Sequence, residues 1–370
     1  MGTHLYSPAN SSSQIYIPRS VEISEAITEL DNLREQVLYE DKDADPWEAL
    51  ASSELEWITG EISKCAGDIR YACYNYFWLG QTKEARPTLF RLWPTQELFL
   101  SIVLNLWAQG LPAWIIIHKC RQIGASTVVE GALMAWKMLF FENQICAIIA
   151  QDPKQAEHLF KITQYVHDHV PWWMKPMEAS REFKEAMILE NPNAFERSQK
   201  PGLNNWIIAN GCNKLSSFMQ GKPIHGLHAS EVSSWSPDRR ALEILEGDSK
   251  YALVEQPGCF AILESKPKGV GGYWWDLWHT FDKAGFEAEY FPFFVPAFFE
   301  KNRKKTVPPD WQGDADMVAI REEFSKEWHE CRQCETPVPM RWGEPDGCFR
   351  CGSANHTPMI LTDEQLYWYQ

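Results

Sequence analysis

Residues Trp114–Gly131 read WIIIHKCRQIGASTVVEG. A short apolar run, Trp114-Ile115-Ile116-Ile117, has β-strand character, and a compact turn follows from His118 to Gly124. Ser126 and Thr127 then open a helical pattern carried by Val128, Val129, Ala132, Leu133 and Trp136. Strand, glycine turn, hydroxyl pair and helix make the layout of a phosphate-binding loop. In such a loop, backbone N–H groups and a helix N-terminus face phosphate, and a Ser or Thr hydroxyl reaches Mg²⁺. Two positions depart from the usual pattern. Lys119 stands where the first glycine belongs, and Ala125 where lysine follows the second glycine. The competing reading is an ordinary strand–turn–helix corner with polar turn residues.

Five more strands follow from their apolar runs: Gln144–Ala150, Trp206–Ala209, Lys222–Glu231, Gly258–Glu264 and Tyr290–Phe299, the last weakened by its prolines. Asp152-Pro153 marks a helix start, and the stretch 171–176 with its prolines breaks that helix. Strands alternating with helices predict an α/β fold with a doubly wound, mainly parallel sheet. Upstream, Thr95 is expected to cap a helix carrying Leu98, Ile102 and Leu106, which Gly110 and Pro112 end. Gln96 lies near its start; its amide is suited to an adenine edge, the alternative being a surface glutamine. The uncharged stretch Leu98–Ile117 has the length of a membrane span, but Asn105, Gln109, Gly110 and Pro112 divide it into helix and strand, so no membrane is expected.

The remaining segments are appendages. Met1–Ser20 is polar and loose, without the apolar centre of a signal peptide. Glu22–Glu56 is acidic, with Ile23, Ile27, Leu30, Leu33 and Val37 at helical spacing, as in a surface helix pair or a docking arm. The net charge of −15 argues against coating of nucleic acid by the whole surface, while allowing a local basic groove. The run Lys301–Lys305 is a solvated turn or a contact to a DNA backbone. Six of the ten cysteines are scattered singly, as buried thiols are. The other four form Cys331-x-x-Cys334 and Cys348-x-x-Cys351, a four-thiolate Zn²⁺ pattern expected in a reduced, intracellular protein. Val338–Trp342 between the pairs is expected to form a small hairpin.

Several segments, in order, resemble one family, the ATPase part of the large terminase subunit of tailed bacteriophages. They are the LWPTQ segment around Gln96, RQIGAST from Arg121 to Thr127, the AQD after the second strand, and HASEVSSW around Glu231. ILESKPKGVGGYWWDLW around Glu264, FFVPAFF and LTDEQLYW complete the set. The resemblance implies a RecA-like P-loop ATPase that translocates viral double-stranded DNA into a procapsid. It implies ATP and Mg²⁺ as cofactors and the host cell cytoplasm as the place of action. The implied partners are the portal protein, the small terminase subunit and further copies in a ring.

Residue by residue, it implies ATP contacts from Gln96, Lys119, Arg121, Gln122, Ile123, Gly124, Ala125, Ser126 and Thr127. Arg121 is the first candidate for the phosphate-gripping cation and Lys119 the second. Ser126 and Ser230 would serve Mg²⁺, Ser230 standing where the family has a carboxylate, and Glu231 would orient the attacking water. Glu264, Ser265 and Lys266 would couple hydrolysis to movement, helped by Gly269, Gly271 and Gly272. Arg181 and Arg197 are candidates for an arginine finger acting in trans.

The organisation expected is a helical arm over residues 1–60, the ATPase domain over 61–325, a zinc ribbon over 326–358 and the start of a linker over 359–370. A nuclease is not expected on this chain. Two other functions stay open: a different RecA-like helicase or translocase, and a zinc-ribbon DNA-binding adaptor whose nucleotide loop is inactive.

Overall fold

The computed structural model describes residues 20–80, 86–119, 123–182, 186–214, 221–235, 251–266, 272–284, 291–295, 307–313, 315–334, 337–340, 348, 351–363 and 365–366. The chain opens with α1 (Val21–Glu40), α2 (Ser52–Gly67) and α3 (Ile69–Asn75), then the hairpin of β1 (Trp78–Leu79) and β2 (Thr88–Leu89). Next come α4 (Pro94–Ala108), β3 (Ala113–Lys119), α5 (Ala125–Val128), a π-helical turn at Val129–Met134, and α6 (Ala135–Phe140). β4 (Ile145–Ala150), α7 (Pro153–His169), β5 (Ser180–Glu182), β6 (Ala186–Leu189), β7 (Asn205–Gly211) and β8 (Gly226–Ser230) follow. The chain continues through β9 (Phe260–Ser265), α8 (Tyr273–Ala284), β10 (Phe291–Val295), α9 (Ala315–Glu327), β11 (Trp328–Cys331), β12 (Pro337–Pro339) and β13 (His356–Pro358).

Among the described residues, eight strands form one sheet in the order β10-β3-β9-β8-β4-β7-β6-β5. The six from β10 to β7 run parallel, and β6 and β5 add an antiparallel edge. All six strands expected from the apolar runs are present. The sheet is covered on both faces because its strands are apolar on both. Ile115 and Ile117 of β3, Ile148 of β4 and Ile262 of β9 pack into one core with side chains of α2, α3, α4, α6 and α7. Trp114, Ile116, Ile149, Leu227, Ala229 and Leu263 alternate with them and pack on the opposite side, against Trp274 of α8.

Four local expectations change. Pro94 occupies the first helical position of α4, so the cap is Trp93, one residue before the proline, and Thr95 lies inside the first turn. The division placed between residues 60 and 61 falls within α2, whose Ile58 and Cys65 belong to the same core as the sheet. The segment after Cys334 supplies β12, whose Val338 pairs with His329 of β11 across the first cysteine pair, and Arg341 and Trp342 of the expected hairpin lie outside the described residues. The antiparallel edge strands were not foreseen. The basic run 301–305 and residues Gly269 and Gly271 lie outside the described residues. No helix among the described residues is long and apolar enough to cross a membrane.

Candidate functional site

The site sits at the carboxyl ends of β3, β9 and β8, and it follows from strand parity and register. Lys119 follows Ile117 by two residues, and Glu264 follows Ile262 by two, so both share the face that carries those isoleucines. On β8, His228 and Ser230 alternate with Leu227 and Ala229 and therefore take that face too. Register completes the placement: Ile117 pairs with Glu264, and Ser230 pairs with Glu264. At a strand spacing of about 4.8 Å, the loop strand and the strand ending in Ser230 stand roughly 10 Å apart, with Glu264 between them.

Glu264 is the hub of the resulting cluster and is fully buried. Its Oε1 accepts from Ser126 Oγ at 2.5 Å and from Ser230 Oγ at 2.9 Å. Lys119 Nζ lies 2.8 Å from the same oxygen and donates to Ser126 Oγ at 3.1 Å. Behind it stands His228, also fully buried. Its Nε2 is 3.3 Å from Glu264 Oε1, close enough for an ion pair but without the alignment of a hydrogen bond. Its Nδ1 contacts Glu130 Oε1 at 2.5 Å, and Glu130 Oε2 accepts from Thr163 Oγ1 of α7 at 2.9 Å. Burial alone would lower the His228 pKa, but the carboxylates of Glu264 and Glu130 outweigh it and push it up to about 9. Burial alone would likewise raise Glu264, but Lys119 and His228 hold it well below the usual carboxylate range. Two cations and two carboxylates thus neutralise one another inside the fold.

Glu231 comes next in the chain and takes a left-handed backbone, φ 55° and ψ 41°. For a residue other than glycine this costs on the order of 1–2 kcal/mol, and it turns the chain sharply at the strand end. Lys266 Nζ lies 3.3 Å from Glu231 Oε1 and Lys119 Nζ lies 3.9 Å from it, so two ammonium groups flank this acid. The segment Ser265-Lys266 is tied to the turn that follows. Ser265 Oγ accepts from Ser233 N at 3.0 Å and donates to Ser233 Oγ at 2.6 Å, while Ser233 Oγ donates to the Lys266 carbonyl at 2.9 Å.

The loop itself is anchored by Gln96. Its Oε1 accepts from Trp93 N at 2.9 Å, and its Nε2 donates to the Gly124 carbonyl at 2.9 Å. Gly124 has φ 73°, and a Cβ there would lie 2.5 Å from Gln96 Nε2, so glycine is required for two reasons. Gln96 is buried and committed to the loop through both amide atoms, so its observed role is to hold the loop to α4. Of the other predicted contacts, Ile123 and Ala125 are buried, and Ser126 and Thr127 are half-buried at the start of α5. Arg121 and Gln122 lie outside the described residues, as does the side chain of Arg181. Arg197 is far along the chain from this cluster and pairs with Glu190 at 3.0 Å.

A second cluster belongs to the sheet of β12, β11 and β13. Cys331, Cys334, Cys348 and Cys351 bring their sulfurs within 4.8 Å of one another. The Cys331–Cys351 and Cys334–Cys348 pairs are each 3.5 Å apart. Ligands about 2.3 Å from a tetrahedral Zn²⁺ would stand roughly 3.8 Å apart, so the spacing fits. Burial pushes the Cys351 thiol up to about 11, and the neighbouring thiols add to this. A bound cation would reverse that trend by favouring thiolates.

Sequence reasoning did not find His228, Glu130 or Thr163. Two signals were present. Glu130 is a single acid inside the apolar run VVEGALM, and His228 precedes Ser230 by two residues, which places both on one strand face. Glu130 also lies in a π-helical turn, a distortion that often marks a working site. Compared with known protein families and with curated proteins, the chain matches none.

Proposed function

We propose that this chain is an ATP-hydrolysing motor subunit acting on double-stranded DNA, the ATPase part of a large terminase subunit with a RecA-like fold. The observation that carries the reading is the convergence of Lys119, Ser126 and Glu231 around the end of one intervening strand. A phosphate chain needs a cation and a hydroxyl on one side, and an acid far enough across to hold a water against the terminal phosphorus. Ligands of open parallel sheets also bind beyond the carboxyl ends of the strands, where this cluster lies.

In this reading Lys119 is the principal phosphate cation, because it already stands beside Ser126, and Arg121 is a further one. Mg²⁺, when bound through the hydroxyls of Ser126 and Ser230, would offset negative charge on the phosphates. Glu231 orients the attacking water. The hydrogen bonds that Ser233 donates to Ser265 Oγ and to the Lys266 carbonyl join the strand that senses phosphate to the turn that carries Glu231, which supports their coupling role. Gln96 positions the loop through its bonds to Trp93 N and the Gly124 carbonyl. The four-thiolate cluster is proposed to hold one structural Zn²⁺, with no coordination position left for water.

Ser230 in place of a carboxylate favours the second reading, a zinc-ribbon DNA adaptor with an inactive loop. Phosphate release from Mg·ATP, measured with and without linear double-stranded DNA, separates the two. The motor reading expects hydrolysis that DNA stimulates. An absence of both binding and hydrolysis favours the adaptor.

A further inference from the structure

Divalent Mg²⁺ is a hard cation that prefers carboxylate oxygen and keeps several of its waters, so two hydroxyls alone make a poor site. Ser230 leaves the last position of β8 without an acid, Glu231 being taken up by the attacking water in the reading above. The structure places one beside it, on the next strand. Ser230 and Glu264 are register partners, and the Glu264 carboxylate accepts from the hydroxyls of both Ser126 and Ser230. All of these contacts fall on Oε1. Oε2 is buried and has no hydrogen-bond partner among the described residues. A buried carboxylate oxygen without a donor is costly, and it is rare unless a ligand completes it.

We propose that Glu264 is the carboxylate of a Mg²⁺ site that also uses Ser126 and Ser230, the acid being carried on β9 instead of on β8. The proposal rests on the nucleotide reading above and deepens it, since Glu264 was expected only to couple hydrolysis to movement. Glutamate suits the place because its longer side chain reaches across the strand spacing of about 4.8 Å toward its neighbour's hydroxyl. His228 and Lys119 keep that charge in place without metal, as the ion-pair distances of 3.3 and 2.8 Å show. With phosphate bound, Lys119 would have a second anion to pair with, and the Glu264 carboxylate would be available to hold the cation.

The test uses Mn²⁺ as the probe, with a non-hydrolysable ATP analogue and the full chain, free Mn²⁺ being followed by electron paramagnetic resonance. The wild type is expected to bind Mn²⁺ together with the nucleotide. Glu264→Gln should lower that Mn²⁺ affinity by about tenfold or more. Adding Ser230→Asp to Glu264→Gln returns a carboxylate to β8 and should restore the affinity. Glu264→Gln leaves Lys119 and His228 facing a neutral amide, so its fold is checked by circular dichroism. A second measurement needs no variant: Fe²⁺ bound with the analogue, given ascorbate and peroxide, should cut the backbone beside Ser126, Ser230 and Glu264. Unchanged Mn²⁺ affinity in a folded Glu264→Gln, or cuts that avoid the end of β9, overturns the placement of the carboxylate. A folded wild type that binds no nucleotide, with or without Mn²⁺, overturns the nucleotide reading as well.

Discussion

His228→Asn removes a buried positive charge while leaving an amide able to donate to Glu130, so it isolates the electrostatic part of the cluster. The His228 pKa of about 9 exceeds its ordinary 6.5, and the gain comes from Glu264 and Glu130. A group raised in this way stabilises the fold fully below its unfolded pKa of 6.5, and the contribution is lost as pH rises through about 9. At about 1.4 kcal/mol per unit, the contribution is on the order of 3 kcal/mol. Glu264 behaves oppositely. Its lowered pKa gives stability that is present above the ordinary 4.5 and is lost as pH falls below it. The two together predict a plateau between about pH 5 and 6.5 and a decline toward pH 9. Urea unfolding at several pH values, followed by the fluorescence of buried tryptophans such as Trp173 and Trp235, measures this. The wild type should exceed His228→Asn most at pH 6.5, and the gap should shrink by pH 9.5. Parallel pH profiles for the two proteins would refute the argument that His228 is charged in the fold.

Three further outcomes follow from the same structure. Lys119→Ala should weaken nucleotide binding by about tenfold or more and more than Arg121→Ala does; the reverse ranking in paired titrations would return the main phosphate contact to Arg121. Gln96→Ala removes one of two donors to the Gly124 carbonyl, Val128 N remaining at 3.0 Å, and should cost about 1 kcal/mol, with faster amide exchange in residues 123–126 as its signature; exchange that is unchanged there would mean the loop is held by something else. Serine at Cys331 should release zinc and expose the segment around Met340, which packs against the cluster of Cys331, Val338 and Cys348, to protease before the sheet unfolds; zinc content near zero in the parent protein would remove the basis for that expectation.

The parallel sheet was legible because its strands are apolar on both faces, which leaves unbroken runs such as WIII and CAIIA in the sequence. The start of α7 was legible too, since Asp152 caps and Pro153 takes the first helical position. β5 and β6 were not, because they are short and Arg181 and Glu182 break the apolar pattern. The start of α4 was misplaced by two residues because a threonine after a proline looks like a cap, whereas the proline itself occupies the first turn. At the site, the loop pattern pointed to Lys119 and Ser126, while Ser230 and Glu231 were named from the terminase resemblance. The central place of Glu264 was not, because it depends on register between strands far apart in sequence. The same holds for the pairing of His228 with Glu130, whose partners lie on different elements and announce themselves only as polar residues in apolar company.

The most direct measurement compares the wild type with Glu231→Gln in one experiment, recording equilibrium binding of ATP and the release of phosphate from the bound nucleotide. Glu231 touches no described part of the loop except Lys119, so its neutralisation should leave binding largely intact. Both proteins are expected to bind ATP, the wild type to release phosphate, and Glu231→Gln to release it on the order of a hundredfold or more slowly. Equal phosphate release by the two proteins, or no ATP bound by either, would contradict that expectation.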